Sequence, residues 1–139
     1  MDWRKITLGV LCLLLGIAMY LVLRSDTIRL YRWCKATFGT GLIDPLRAQA
    51  LDWSVPFFVR YSLPDGLYCL SYILIADGIF VGEKGWRRHL VVTLIPVVAI
   101  IHECLQYKGL VRGDFDIGDL IAYGVPLVGY LIVAAFRAA

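Results

Sequence analysis

Four apolar runs, residues 6–23, 67–81, 89–107 and 117–136, limit what this chain can fold into. A helix needs about 17–25 predominantly apolar residues to cross a bilayer. Three of the runs have that length, and the second reaches it when extended at its N-terminal end. In hydrocarbon every backbone N–H and C=O must find a partner, which a helix provides within a single segment. The sequence therefore predicts an all-α fold, a four-transmembrane-helix bundle forming one integral membrane domain over residues 1–139. One long interfacial or extramembrane loop, residues 24–66, separates helices 1 and 2. Composition agrees: 60% of the residues are hydrophobic, against roughly 45–50% in a soluble domain.

The first run follows Arg4 and Lys5, as a signal sequence would. It exceeds the usual h-region of about 7–15 residues and lacks a small-x-small site before Arg24, so a retained signal-anchor helix is expected. The four cysteines, Cys12, Cys34, Cys69 and Cys104, are widely spaced and form no C-x-x-C pair. They indicate neither a disulfide framework nor a zinc site. A net charge of +3 makes no case for nucleic acid.

Within the loop, residues 25–35 mix apolar and basic positions at helical spacing. Ile28, Tyr31 and Lys35 fall on one side, Arg29, Arg32 and Trp33 on another, as in a helix lying at the headgroups. Gly39-Thr40-Gly41 ends it. Asp44-Pro45 reads as an N-cap and first helical position of a second short helix running through Trp53. Pro56 stops that helix, and Phe57-Phe58-Val59 dips into the interface or packs on the bundle. Ser62-Leu63-Pro64-Asp65-Gly66 is turn chemistry. Pro96 and Pro126 predict kinks in the third and fourth spans, and Gly124 and Gly129 predict close helix approach in the fourth. The short, dense Lys84–Arg88 cluster orients the chain with both termini in the cytoplasm.

Alternating spans have a consequence for the polar residues. Asp65 before span 2, Glu103 and Gln106 at the end of span 3, and Asp116 and Asp119 at the start of span 4 must share one membrane face. Ionisable groups cost roughly 2.5–3.5 kcal/mol each at a helix centre, so such a concentration marks a functional site. Glu103 and Gln106 share a helical face, and Arg112 can fold back to pair with Glu103. Asp116 caps span 4, with Asp119 at its third position. Glu103, Asp116 and Asp119 are the candidate catalytic carboxylates; Asp65, Gln106, Arg112 and His102 are the candidate ligand-binding residues. Asp77, near the other end of span 2, is read as structural and meets Arg87 or Arg88.

His102-Glu103-x-x-Gln106 differs from a zinc-binding H-E-x-x-H by its last residue, and three consecutive side chains point about 100° apart around a helix. Asp114, Asp116, Asp119 and Glu103 are oxygen ligands of the kind a hard divalent cation takes, but acidic spacing alone does not make a site. No metal or other cofactor is expected.

Glu103-x-x-Gln106, then Arg112, then Asp116 and Asp119 opening the last apolar helix, with Asp65 opening an earlier one, resembles the VanZ-like family. These are small polytopic bacterial membrane proteins named for a glycopeptide (teicoplanin) resistance determinant. The resemblance spans roughly residues 65–124 and implies a helical bundle in the bacterial cytoplasmic membrane with a polar rim at its outer face. Gly66 and Cys69 stand where the family commonly carries Lys and His, and Tyr123 stands where it carries Asn, so no activity transfers. The expected function is binding or processing of a polar cell-envelope ligand: a lipid headgroup, a peptidoglycan precursor or a glycopeptide antibiotic. Two alternatives stay open. One is a non-catalytic membrane scaffold or accessory subunit with a membrane-protein partner; the other is an ion-coupled transporter.

Overall fold

Asp2 starts the first helix. Its backbone is extended and its carboxylate accepts hydrogen bonds from the amides of Arg4 and Lys5 at 3.1 and 3.4 Å, satisfying donors that have no partner within the helix. In the computed structural model, which describes residues 1–25, 28–39, 41, 43–51, 53–83 and 85–138, α1 (Trp3–Leu23) then runs to Arg24. Asp26 and Thr27 of the expected interfacial helix, Thr40 of its stop signal and Lys84 of the basic cluster lie outside the described residues.

Three short helices follow: α2 (Arg29–Phe38), α3 (Ile43–Leu51) and α4 (Phe57–Tyr61). Gly39 stops α2 in a left-handed conformation (φ 77°) that a side chain would strain. Tyr31 and Cys34 form its buried side, while Arg29, Arg32 and Trp33 stay exposed. The Tyr31 hydroxyl donates to Asp44 at 2.6 Å, which pushes the phenol's pKa up. Arg47 of α3 stacks on the Tyr31 ring at 4.3 Å and caps the end of α1, donating to the carbonyls of Leu21 and, at 2.6 Å, Arg24. A cation there also meets the negative end of the α1 dipole.

The remaining helices are α5 (Leu63–Ile79), α6 (Trp86–Tyr107) and α7 (Ile117–Ala138). Four helices are long and apolar enough to cross a membrane: Trp3–Leu23, Leu63–Gly82, Trp86–Tyr107 and Ile117–Arg137. The chain is thus a multi-pass membrane protein, all-helical with no strand among its described residues. Leu8, Leu11, Leu94, Ile101 and Val125 lie about half exposed or more, as lipid-facing positions do.

α5 is the central helix, with 39% of its apolar window buried against 11–17% in the others. It joins α6 and α7 around Cys69, Ile73, Ala76, Val92 and Tyr130. On its other side it receives α1 through glycines. A Cβ at Gly9 would lie 2.7 Å from Ile75 Cγ1 and 2.9 Å from the Ser71 oxygen, and one at Gly78 would lie 2.8 Å from Ile6 Cγ1. Between helices in lipid, close backbone approach and dispersion replace the hydrophobic effect as the packing force.

Several expectations are corrected. Gly124 and Gly129 have nothing within 4 Å of an added Cβ, so they are not the close-approach sites; in α7 that role belongs to Ala122, opposite Gly66 of α5. Composition reveals small residues but not which way they face. Of Ser62–Gly66 only Ser62, between α4 and α5, is a turn. α5 begins at Leu63, because Pro64 falls in the first helical turn, where its missing N–H costs nothing. α3 starts at Ile43, so Asp44 lies in its first turn rather than capping it, and it ends before Trp53. Pro96 and Pro126 lie inside α6 and α7 without ending them, as a kink rather than a stop requires.

Candidate functional site

Helix alternation gathers one end of α1, α5, α6 and α7 into a polar rim, roofed by α4. Arg24, just past α1, donates to the Asp65 carboxylate at 3.1 Å and to the Tyr61 carbonyl at 2.8 Å. Its guanidinium also lies 5.0 and 5.1 Å from the rings of Tyr20 and Tyr61. These contacts compensate a charge that would otherwise be costly at the membrane boundary.

Asp116 caps α7. Its Oδ1 accepts from the Gly118 amide at 2.7 Å, and its backbone oxygen accepts from Asp119 and Leu120. A carboxylate here also faces the positive end of the helix dipole. Glu103, only 6% exposed, reaches across from α6 and accepts from the Asp116 amide at 3.5 Å. Gln106 sits beside it. One orientation of its amide puts nitrogen 3.1 Å from both Glu103 oxygens, and the other puts it 3.4 Å from the Arg112 carbonyl. Asp65, Glu103 and Asp119 lie within electrostatic reach of one another, and Tyr123 stands among them.

An open cavity of about 540 Å³ occupies the rim, lined by Arg24, Phe57, Tyr61, Asp114, Asp116 and Asp119, with Phe115 completing its wall. Asp119 Oδ1 and the Ser62 hydroxyl are buried atoms without a satisfactory hydrogen bond, although the two groups lie close together. Unsatisfied buried polar atoms cost about 1–3 kcal/mol each, and ligand sites are one place where such atoms persist. A second cavity, about 230 Å³ and wholly apolar, follows the α5–α7 seam past Leu67, Leu70, Ala122 and Val125. Phe57 lines the polar cavity and its neighbour Phe58 the apolar one.

The expected residues divide accordingly. Asp65, Glu103, Gln106, Asp116 and Asp119 come together; His102 stays within electrostatic reach of Glu103, and the Arg112 side chain does not join them. Both are exposed, and Arg112 makes no ion pair among the described residues. The expected Glu103–Arg112 pair does not form: the loop, with Gly109 and Gly113 at positive φ (67° and 134°), brings the Arg112 backbone carbonyl to Gln106 while the side chain stays exposed. Arg24 supplies the rim's cation instead. Among the described residues no group of three or more His, Cys, Asp or Glu side chains is placed to hold a metal ion. Asp114, Asp116, Asp119 and Glu103 therefore do not converge as cation ligands.

Sequence reasoning missed Arg24, Phe57, Tyr61, Ser62 and Tyr123. Arg24 carried a usable signal, since span 1 ends at the face where span 2 begins. The others depend on the path of α4 and on burial, which spacing does not encode. No family model, curated protein or solved structure matches the chain.

Proposed function

We propose that the chain is a VanZ-like bacterial inner-membrane protein whose rim takes the polar headgroup of a lipid-linked envelope ligand. The observation that carries this reading is the junction at Phe57 and Phe58 of an acidic, aromatic-walled cavity with an apolar groove. An amphiphile needs that pair of environments side by side; a free glycopeptide needs only the first. Asp114, Asp116 and Asp119 outnumber the one lining cation, Arg24, whose charge is shared with Asp65. The rim therefore favours a headgroup carrying an amine, with any phosphate directed to Arg24.

Asp119, with a buried oxygen lacking a hydrogen bond, is the residue to which a ligand proton would pass if the rim does chemistry. Glu103, committed to the Asp116 amide and Gln106, positions the start of α7. The loop of residues 24–66 lies at the headgroups, and both termini lie in the cytoplasm, in keeping with Arg4, Lys5, Arg87, Arg88 and Arg137 at their face.

Phosphatidylethanolamine with a photoactivatable acyl chain, presented in proteoliposomes, tests the reading. Crosslinks concentrated at Leu67, Leu70 and Val125, and weakened at least fivefold by Asp119→Asn, are expected. Uniform labelling of all lipid-facing helices, unchanged in that variant, refutes it. A scaffold role has one observation of its own: Trp33 and Phe38 of α2 are 60% and 67% exposed and stack edge-to-face at 6.2 Å, an aromatic pair open to a partner.

A further inference from the structure

At the end of the bundle opposite the rim, one buried carboxylate faces three cations. Asp77 is 5% exposed. Lys5 Nζ lies 2.5 Å from its Oδ2, Arg88 donates through Nε at 2.9 Å and through Nη2 to its Oδ1, and Arg137 Nη1 stands 3.6 Å from Oδ2. The sequence reading of Asp77 foresaw Arg88 alone of these partners. Both oxygens of Asp77 are engaged, and Asp2 stands 3.9 Å from Lys5, so the three cations face two carboxylates and one positive charge is left over on the Arg88–Arg137 side.

An open cavity of about 330 Å³ lies on the cluster, lined by Asp77, Arg88, His89, Tyr130, Arg137 and the loop residue Gly85. Its one further acidic residue, Glu83, is exposed at the mouth and makes no ion pair among the described residues. Arg137 approaches Asp77 by charge only, beyond hydrogen-bonding distance, and its side chain is 51% exposed. Its guanidinium therefore keeps its donors for a ligand. Arg88 is different: Asp77 holds it in place on the cavity wall. His89 Nδ1 is tied to the Tyr130 hydroxyl at 2.9 Å, which fixes the ring at the same wall. The first turn of α6, which Arg88 and His89 occupy, contains no acidic residue and its Gly85 cap makes no side-chain hydrogen bond.

We infer that this cavity binds a phosphate ester, gripped by Arg137 and steadied by Arg88 and His89. A planar guanidinium matches two phosphate oxygens at once. The cluster sits at the ends of three membrane-spanning helices and near the start of α1, the depth at which lipid phosphates lie. An anionic lipid headgroup and a free phosphate present the same chemistry, and the two are separable by experiment.

The protein is purified in detergent, supplied with equal phosphatidylglycerol and phosphatidylcholine, and the lipids it retains are measured by native mass spectrometry. Thermal unfolding is followed in parallel with inorganic phosphate in place of lipid. At least fivefold preferential retention of phosphatidylglycerol, lost in Arg137→Gln and partly restored in Arg137→Lys, supports a lipid phosphate. A rise in melting temperature with inorganic phosphate, absent in Arg137→Gln, supports a free phosphate. Arg137 is the residue varied because it is not hydrogen-bonded to Asp77, so its loss leaves the internal cluster intact; the charge-matched control Lys108→Gln, exposed at the opposite end of α6 and outside both polar cavities, should behave as wild type. Equal retention of both lipids together with no response to phosphate, or an unchanged preference in Arg137→Gln, overturns the inference.

Discussion

Arg24 and Asp65, 41 residues apart, meet at 3.1 Å where α1 ends and α5 begins. Both side chains are about four-fifths buried, so truncating one leaves the other partly desolvated and unpaired. Arg24→Gln should lower stability by about 1–3 kcal/mol, the usual cost of stranding a buried polar partner. Asp65→Asn in the same chain should recover part of the loss. Unfolding titrations in mixed micelles, run as a double-mutant cycle, measure the coupling; strictly additive losses would show that the pair contributes nothing.

The glycines of the bundle should separate into two classes. Gly9→Leu must push against Ile75 and the Ser71 backbone, and overpacking of this kind costs about 1–3 kcal/mol. Gly129→Ala, with open space around it, should be neutral or slightly stabilising. The same micelle titration compares them, and equal effects would contradict the packing described.

Asp77→Asn should be more damaging than any rim substitution. It removes the carboxylate shared by Lys5, Arg88 and Arg137, leaving three cations with only Asp2, 3.9 Å from Lys5, to offset them. Breaking a buried pair by removing one partner costs roughly 3–5 kcal/mol. Thermal unfolding should show it, and added salt should recover a fraction by screening.

Arg47→Ala should loosen the connection between α1 and α5 without unfolding the spans. The side chain caps α1 and stacks on Tyr31, so its loss releases α2 and α3 together. Limited proteolysis should cut within residues 28–51 several times faster while far-ultraviolet circular dichroism changes little. Unaltered cleavage would mean that other contacts hold the segment.

Arg112→Ala should leave lipid crosslinking at the α5–α7 groove unchanged, because Arg112 is exposed and does not line the rim cavity. A loss comparable to that of Asp119→Asn would place Arg112 in ligand binding after all.

What could be read from the residues alone follows the physics of each feature. The spans were legible because hydrocarbon admits few alternatives to a long apolar helix. The meeting of Asp65, Glu103, Asp116 and Asp119 was legible because alternation of spans assigns each helix end to a face. That same logic applies equally to Arg24, which the loop boundary at residue 24 sets apart from span 1. Arg112 was misjudged because a loop's path depends on backbone conformation at Gly109 and Gly113, not on chain distance. Gly124 and Gly129 were misjudged because helix rotation about its axis is set by the neighbours. Phe57 and Phe58 gained meaning only when α4 was seen to roof the rim.

The glycine seam between α1 and α5 also bears on how the protein is made. α1 is synthesised before α5, its main partner, which follows only after some forty residues. At about 5–20 residues per second the ribosome takes roughly 2–8 s to deliver it. Throughout that interval Gly9 and Gly16 expose bare backbone to lipid, and Arg24 waits at the membrane boundary without Asp65. In that interval α1 has an unfinished face, the state in which a membrane insertase has the most to protect.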